Sequence, residues 1–239
     1  MASVEKLYLA EPYLVECEAK VVEVTGNRVM LSRTVFFPEG GGQLGDTGVI
    51  GDTGVVDTQK YRGLPFARDN FPMIMVGGQI VHMLSADAEP PKVGKEVRIR
   101  IDWPRRYNIM KHHSAAHLAY WYATQARPDL YTQGCRISDT TARFDFYTKM
   151  PLDSEAVKEW EEFSNESVGQ DMEITNSAVD GEPEALMWYC GDMRMPCGGT
   201  HVRSTAEIGK IQLHRKRQGK NLERLYITVD TGSPAGPGQ

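Results

Sequence analysis

Two pairs of potential metal ligands lie far apart in the sequence. The first pair is His113 and His117, and the second is Cys197 and His201. Three imidazoles and one thiolate form a ligand set that Zn²⁺ accepts, and two pairs on separate elements can meet around one ion only in the folded chain. The sequence therefore predicts a zinc site at these four residues.

The spacing within each pair has a structural meaning. Positions i and i+4 lie one turn apart on a helix, so the two histidines of the first pair would leave the same helix face. The second pair has the same interval but encloses Gly198 and Gly199, which favours a tight loop. Either pair alone is a weak signal, because half-buried histidines are also found in packed helices without metal. Together, the two pairs favour the metal site.

Ser114 argues against one common class of metalloenzyme. A zincin peptidase carries Glu directly after the first histidine of its helical pair, where the carboxylate acts as general base. Ser114 occupies that position here. A peptidase of that class is therefore not expected.

The overall composition is that of an ordinary soluble protein. The chain has 239 residues, of which 41% are hydrophobic and 25% charged, and its formal net charge is −5. Its four cysteines form no close-spaced disulfide framework, and no long apolar run or signal peptide is visible. We therefore expect a cytoplasmic protein without a membrane segment. The negative net charge argues against non-specific binding to nucleic acid.

A local basic segment contrasts with this acidic background. Between residues 210 and 224, six basic side chains accompany one acid, Glu223. The basic residues are Lys210, Arg215, Lys216, Arg217, Lys220 and Arg224. The segment could be a solvated strand pair with its turn, or it could be a surface that contacts phosphates. The sequence leaves both interpretations open.

The first hundred residues have the pattern of a β-rich domain. Polar and apolar side chains alternate over residues 14–32 around Gly26-Asn27, which predicts a hairpin, and a second hairpin is predicted around Gly51-Asp52. Further strands fit residues 73–76, 79–84 and 96–102. A small β-barrel would remove the open edges of these strands. We assign residues 1–102 to this domain.

The pattern changes at Trp103-Pro104. Helical periodicity covers residues 105–124, and Asp153 can cap a second helix that extends to about Val168. Strands are predicted at residues 140–146, 208–214 and 225–229. Residues 103–232 are thus expected to form an α+β domain with helices on an antiparallel sheet, and residues 233–239 a disordered tail.

A glycine-rich segment lies between the two predicted hairpins. It runs from Thr34 to Gly48 and contains Gly40-Gly41-Gly42 followed by Gln43. Three consecutive glycines allow the backbone to approach a ligand closely. No Gly-Lys-Ser/Thr follows, so the segment is not a phosphate-binding P-loop. The bulky residues just before the glycines indicate an anchored loop rather than a flexible one.

Three motifs together resemble those of the free-standing alanyl-tRNA editing proteins, which are homologous to the editing domain of alanyl-tRNA synthetase. They are Phe36-Phe-Pro-Glu-Gly-Gly-Gly-Gln-Leu-Gly-Asp-Thr-Gly48, His113-Ser-Ala-Ala-His117 and Pro196-Cys-Gly-Gly-Thr-His-Val202. The resemblance extends from about residue 8 to residue 229. It implies the medium form of the family, with an N-terminal β-barrel and a zinc-binding editing domain.

The resemblance also implies a reaction and roles for residues. The reaction is hydrolysis of the ester that links serine or glycine to the 3′ end of alanine tRNA. Thr34 is expected to hydrogen-bond the serine hydroxyl, while Gln43 and the N–H groups of Gly41 and Gly42 are candidates to orient the substrate or its oxyanion. The basic residues of the 210–224 segment are candidates for tRNA contacts. Zn²⁺ is the expected cofactor, and a monomer or weak homodimer the expected state.

Two alternative functions remain at this point. A non-catalytic, zinc-stabilised tRNA-binding module would bind tRNA without hydrolysing it, and four protein ligands are typical of structural zinc. A metal-dependent hydrolase acting on a small non-tRNA ester or amide would not depend on the basic segment. An intact synthetase is disfavoured, because the two predicted domains leave no room for aminoacylation.

Overall fold

A computed structural model describes residues 4–69, 71–179 and 181–230. In chain order its elements are β1 (Glu5–Lys6), α1 (Leu7–Ala10), β2 (Glu16–Thr25), β3 (Arg28–Leu31), β4 (Arg33–Thr34), β5 (Gly48–Ile50), β6 (Thr53–Tyr61), β7 (Leu64–Arg68), β8 (Phe71–Val76), β9 (Gln79–Leu84), β10 (Glu96–Ile101), α2 (Trp103–Ala126), β11 (Tyr131–Ile137), β12 (Ala142–Tyr147), α3 (Ser154–Gly169), β13 (Ile174–Val179), β14 (Glu182–Cys190), β15 (Met193–Pro196), a 3₁₀ turn (Thr205–Ile208), β16 (Ile211–Gly219) and β17 (Leu222–Val229). The prediction of an α+β chain with antiparallel sheets is confirmed.

Six N-terminal strands pair in a closed ring, in the order β10, β2, β3, β9, β6 and β5. The ring closes because β10 pairs with β2 along one edge and with β5 along the other. On β10, Val97, Ile99 and Ile101 are buried while the side chains between them are exposed. This period of two is the pattern of a strand that presents one face to a core.

The predicted hairpins are found where glycines permit tight turns. Gly26 and Gly51 both have φ near +60°, in the left-handed region that glycine occupies without a steric penalty. The first turn joins β2 to β3, and the second joins β5 to β6. Two-residue connections of this kind match the twist of the strands that they link.

Helix α2 begins at Trp103, two residues before the predicted start at residue 105. The side chain of Asp102 accepts a hydrogen bond from Arg105 N and caps the helix, and Pro104 fits its first turn because no N–H is needed there. The predicted cap of α3 is confirmed, since the Asp153 side chain accepts from Ala156 N. The helix that carries the two histidines is buried on most of its surface.

The C-terminal part contains a four-stranded antiparallel sheet in the order β11, β12, β17 and β16. One face of this sheet is apolar and packs against α2 and α3, with Phe144 and Phe146 contacting Tyr120 of α2. A separate three-stranded sheet of β13, β14 and β15 leads to the second ligand pair. Sequence analysis missed β11 and all three strands of this smaller sheet.

A buried ion pair connects the glycine-rich segment to α2. Arg106 Nε lies 2.9 Å from Asp46 Oδ1, and both side chains are almost completely buried. The same guanidinium donates to the carbonyl oxygens of Pro12 and Val35. The barrel strands all precede Trp103, but the division into domains at residues 102 and 103 stays a prediction. The predicted tail at 233–239 lies outside the described residues.

None of the helices in the described part of the chain combines the length and the apolar character that crossing a bilayer requires.

Candidate metal centre

The structure brings the four predicted metal ligands into one cluster. Helix α2 carries His113 and His117, and the loop that follows β15 carries Cys197 and His201. One donor atom from each residue lies within 4.8 Å of every other, and all three imidazoles are buried. Two pairs that are some eighty residues apart in sequence therefore converge on a volume that could hold a metal ion.

The distances between the donor atoms suit a tetrahedrally coordinated metal ion. Cys197 Sγ lies 3.4 Å from His113 Nε2 and 3.3 Å from His201 Nε2. Ligands bonded to zinc at about 2.0–2.3 Å in a tetrahedron stand roughly 3.5 Å apart. The buried Nδ1 of His117 has no hydrogen-bond partner among the described residues. The donor set and its geometry thus fit a zinc-sized cation.

Burial sets the protonation of these groups. It lowers the pKa of His113 to about 3, and it holds the pKa of His117 and His201 well below the usual range, with the neighbouring imidazoles adding to the effect. Neutral imidazoles are the form that binds metal. Burial also raises the pKa of the Cys197 thiol to about 12. The thiol therefore loses its proton only when a cation stabilises the thiolate.

Hydrogen bonds fix the orientation of two ligand rings. Gln43 Oε1 accepts from His113 Nδ1 at 2.8 Å and from Thr200 N at 3.0 Å, while Gln43 Nε2 donates to Thr200 Oγ1. Ser114 Oγ lies 3.1 Å from His201 Nδ1. In both rings the Nδ1 side is engaged, which leaves Nε2 directed at the cluster. Partners of this kind are what hold metal ligands in place.

Gly199 is required for the packing of the cluster. A Cβ at this position would lie 2.2 Å from His113 Cε1 and 2.7 Å from Gln43 Oε1. At Gly198, by contrast, the nearest atom to a Cβ would be the Glu184 carbonyl oxygen at 3.7 Å. The two glycines of the loop therefore have different roles, and only Gly199 allows the close approach of His113 and Gln43.

The glycine-rich segment reaches the cluster through Gln43. Its backbone is tied to the end of β11, because Ile137 N donates to Gly42 O at 2.7 Å and Leu44 N donates to Ile137 O. Gly41 and Gly42 have φ of +59° and +88°. Within the described ranges, neither of their N–H groups donates a hydrogen bond. These N–H groups are thus available to a ligand.

Thr34 lies in a different environment from the other predicted site residues. Its side chain is fully buried, its hydroxyl is 2.8 Å from His82 Nε2, and it accepts from Phe36 N. His82 Nδ1 faces the carbonyl oxygen of Val29, so Nδ1 carries the proton and Nε2 accepts from Thr34. Within the described residues, the hydrogen bonds of the Thr34 hydroxyl are to His82 and Phe36, and neither of these residues belongs to the cluster. Its role in recognition stays a prediction.

The basic residues of the 210–224 segment do not share one surface. Arg215 and Arg217 line a groove of about 510 Å³ beside α3, together with Lys158 and Glu161. Lys216 lies between them in β16 and points to the opposite face of the sheet, next to Arg224 of β17. Lys210 and Lys220 lie exposed near the ends of β16. The segment thus divides between two faces.

Several residues around the cluster were missed by sequence analysis. They are Gly199, Thr200, Ser114 as a partner of His201, and Trp188, whose ring lies 4.7 Å from that of His117. Ser114, Gly199 and Thr200 lie inside the ligand motifs, so adjacency to a ligand was an available signal. Trp188 lies on β14, and no pattern in the sequence connects it with His117.

Comparison with known proteins identifies relatives for nearly the whole chain. The family described as class II (A) tRNA synthetases matches residues 6–105, and the second additional domain of threonyl and alanyl tRNA synthetases matches residues 189–226. The alanine–tRNA ligase of Ignicoccus hospitalis is 34% identical over 89% of this chain, which corresponds to 24% of the ligase. The chain thus spans about a quarter of the length of such ligases.

Two further relatives come from Pyrococcus horikoshii. The alanyl-tRNA editing protein AlaX-L is 32% identical over 94% of this chain and 58% of its own length. The alanyl-tRNA editing protein AlaX-M is 31% identical over 94% of this chain and 97% of its own length. Because this last similarity covers both proteins almost completely, the chain belongs to the family of alanyl-tRNA editing proteins.

Proposed function

We propose that this protein is a zinc-dependent aminoacyl-tRNA deacylase that hydrolyses alanine tRNA mischarged with serine or glycine. The observation that carries this proposal is the hydrogen bond from the ligand His113 to Gln43 of the glycine-rich segment. It makes the metal cluster and the segment with free backbone N–H groups one continuous site. Relatives that are named as alanyl-tRNA editing proteins support the same reaction class.

The reaction corrects errors that arise from a physical limit on amino-acid selection. A pocket shaped for alanine cannot strongly reject an amino acid with one added hydroxyl, nor can it exclude the smaller glycine. A second site that hydrolyses the errors must therefore favour serine through a polar contact. One such hydrogen bond contributes roughly 1–3 kcal/mol, or about ten- to a hundredfold in rate.

Each group of the site has a proposed task. A zinc ion held by His113, His117, Cys197 and His201 would position or activate the water that attacks the ester carbonyl. The N–H groups of Gly41 and Gly42 would donate to the oxyanion as charge develops on it, because no other described residue accepts from them. Gln43 holds His113 in position, in addition to its predicted role in orienting the substrate or its oxyanion.

Thr34 remains our candidate for recognising the serine hydroxyl. Its Oγ1 donates to His82 and accepts from Phe36 N, which leaves one lone pair free for a second donor. A substrate hydroxyl could use that lone pair only if the buried site opens, since Thr34 has no exposed surface here. If Thr34→Val deacylates serine- and glycine-charged tRNA with unchanged relative rates, the assignment is wrong.

The proposed function is tested by the deacylation rate of serine-charged alanine tRNA, measured beside alanine-charged tRNA. The wild-type protein loaded with zinc should release serine faster than alanine, by about ten- to a hundredfold. A Cys197→Ala, His201→Ala variant should lose this activity. Equal rates for serine and alanine would contradict the editing role.

A non-catalytic, zinc-stabilised tRNA-binding module is the second candidate. It is favoured by one observation, namely that four protein donors would fill a tetrahedral shell and leave no position for substrate. Binding of tRNA without any release of serine by the wild-type protein would establish this alternative and exclude the deacylase.

A further inference from the structure

The four-stranded sheet of β11, β12, β17 and β16 has one face that none of the helices in the described part of the chain covers. Its apolar face packs on α2 and α3, and the side chains between the apolar ones project to the other side. Strand register brings four of these side chains into one row across the sheet. The row consists of Arg136, Arg143, Tyr226 and His214, each directly opposite the next.

A second row lies beside the first. In it Asp145, Arg224 and Lys216 stand opposite one another on β12, β17 and β16. Asp145 is ion-paired with Arg224, whose guanidinium lies 5.9 Å from the centre of the Tyr226 ring. The two rows hold four arginine or lysine side chains against one carboxylate. The open face therefore carries a surplus of three positive charges in a protein whose net charge is −5.

The pair of opposed arginines is the unusual feature of this face. Like charges directly opposite on neighbouring strands destabilise a sheet, and neither Arg136 nor Arg143 forms an ion pair among the described residues. Nε of Arg143 is also buried and has no hydrogen-bond partner within residues 4–69, 71–179 and 181–230. An anion between the two guanidinium groups would relieve the repulsion and satisfy this N–H, and a phosphate matches the donor geometry of arginine.

The row begins on the edge strand β11, which contacts the glycine-rich segment, and it lies on the face of the sheet opposite helix α2. Arg136 directly precedes Ile137, whose backbone holds Gly42 and Leu44 of the glycine-rich segment. From Arg136 the row leads across the sheet to Tyr226 and His214, whose rings stack with centroids 6.4 Å apart. Aromatic rings interleaved with basic side chains are typical of surfaces that bind nucleic acid.

We infer that this open face, defined by Arg136, Arg143, Lys216, Arg224, Tyr226 and His214, binds the phosphodiester backbone of the acceptor arm of tRNA. The inference rests on the proposed function, because it takes the ester at the 3′ end to lie at the metal cluster. It assigns backbone contacts to Arg136 and Arg143, which lie outside the basic segment. It also separates Lys216 from Arg215 and Arg217, which lie on the other face.

The test is the affinity for uncharged alanine tRNA across a series of salt concentrations. An Arg136→Gln, Arg143→Gln variant should bind about tenfold more weakly, and the slope of log affinity against log salt should fall by about one to two. A control variant, Lys20→Gln with Arg28→Gln, removes two charges from the barrel and should bind like wild type. Unchanged affinity and slope in the arginine variant would overturn the inference.

Folding and catalysis are measured separately. Loss of the opposed charges should leave the melting temperature equal or higher, and an Arg136→Lys, Arg143→Lys variant should recover part of the affinity. With serine-charged tRNA, the glutamine variant should raise KM about tenfold while kcat stays unchanged. Absence of hydrolysis by the wild type would refute the proposed deacylase and leave the binding result to decide this inference independently.

Discussion

Gln43 Oε1 accepts hydrogen bonds from His113 Nδ1 at 2.8 Å and from the backbone N–H of Thr200 at 3.0 Å. A single buried amide oxygen thus joins the glycine-rich segment to both halves of the metal cluster, the helix and the loop. Gln43 follows the three glycines, so the predicted loop contributes its side chain to the support of a ligand. The sequence predicts that this side chain orients the substrate, and the contact with His113 gives it a second task.

Removal of the Gln43 acceptor should weaken metal binding. In Gln43→Ala, both His113 Nδ1 and Thr200 N lose their partner, and loss of such support costs about ten- to a hundredfold in metal affinity. Gln43→Glu keeps the acceptor for His113 and Thr200 N but loses the Nε2 donor to Thr200 Oγ1, and it should retain more affinity than Gln43→Ala. Competition with a zinc-chelating dye measures the affinities, and Gln59→Ala on the barrel provides a control. Wild-type affinity in Gln43→Ala would show that the ring needs no such partner.

Gly199→Ala should disrupt the cluster, whereas Gly198→Ala should not. The new Cβ at residue 199 would clash with His113 and Gln43, and overpacking of this kind costs about 1–3 kcal/mol. At residue 198 the Cβ has room. Neither glycine has a positive φ, so alanine adds no backbone strain at either position. The measurements are the melting temperature and the amount of bound zinc. Equal values for the two variants would contradict the clash predicted at residue 199.

Zinc binding should release one proton near neutral pH. The Cys197 thiol has a pKa of about 12 and must ionise on binding, whereas His113, with a pKa of about 3, is already neutral. The apparent affinity should therefore rise about tenfold for each pH unit between about 7 and 9. Calorimetry in buffers of different ionisation enthalpy counts the protons.

The control for proton release is Cys197→Ala, which should bind zinc weakly and release none. Release of two or more protons by the wild-type protein would mean that the imidazoles are protonated before the metal arrives, contrary to their burial.

His82 should make folding sensitive to acid. Burial lowers its pKa to about 4, while in the unfolded chain the pKa is about 6.5. Below pH 6.5 the unfolded state therefore takes up the proton first, and stability is lost as pH falls from about 6.5 to about 4. The loss from this residue is at most about 3 kcal/mol. Above pH 6.5 it contributes no pH dependence.

Urea unfolding of the protein, after a chelator has removed bound metal, measures this effect at several pH values. Replacement of His82 by Leu should reduce proton uptake on unfolding by about one near pH 5, although the variant loses stability at pH 7 because the Thr34 hydroxyl is left without its acceptor. The slope of the free energy of unfolding against pH, and not its absolute value, tests the role of His82. An unaltered slope would show that His82 is not the neutral, buried group described here.

Much of this protein could be predicted from local patterns. The interval between His113 and His117 and the glycines between Cys197 and His201 gave the ligand set, since metal ligands are few in type and their spacing follows helix and loop geometry. The strand-like sequences on either side of Gly26 and Gly51 predicted the two hairpins. By contrast, β13 was missed because its side chains are mostly exposed and show no period of two.

Other properties depend on which residues meet in space. Sequence alone determined the predicted ligand set, the α+β class and the family resemblance, because these rest on residue type and short spacing. Only the tertiary structure decided that Thr34 is bonded to His82, that Gly199 is packed against His113, and that Arg136 lies opposite Arg143. These relationships arise from strand register and close packing between distant segments, and no local pattern encodes either of them.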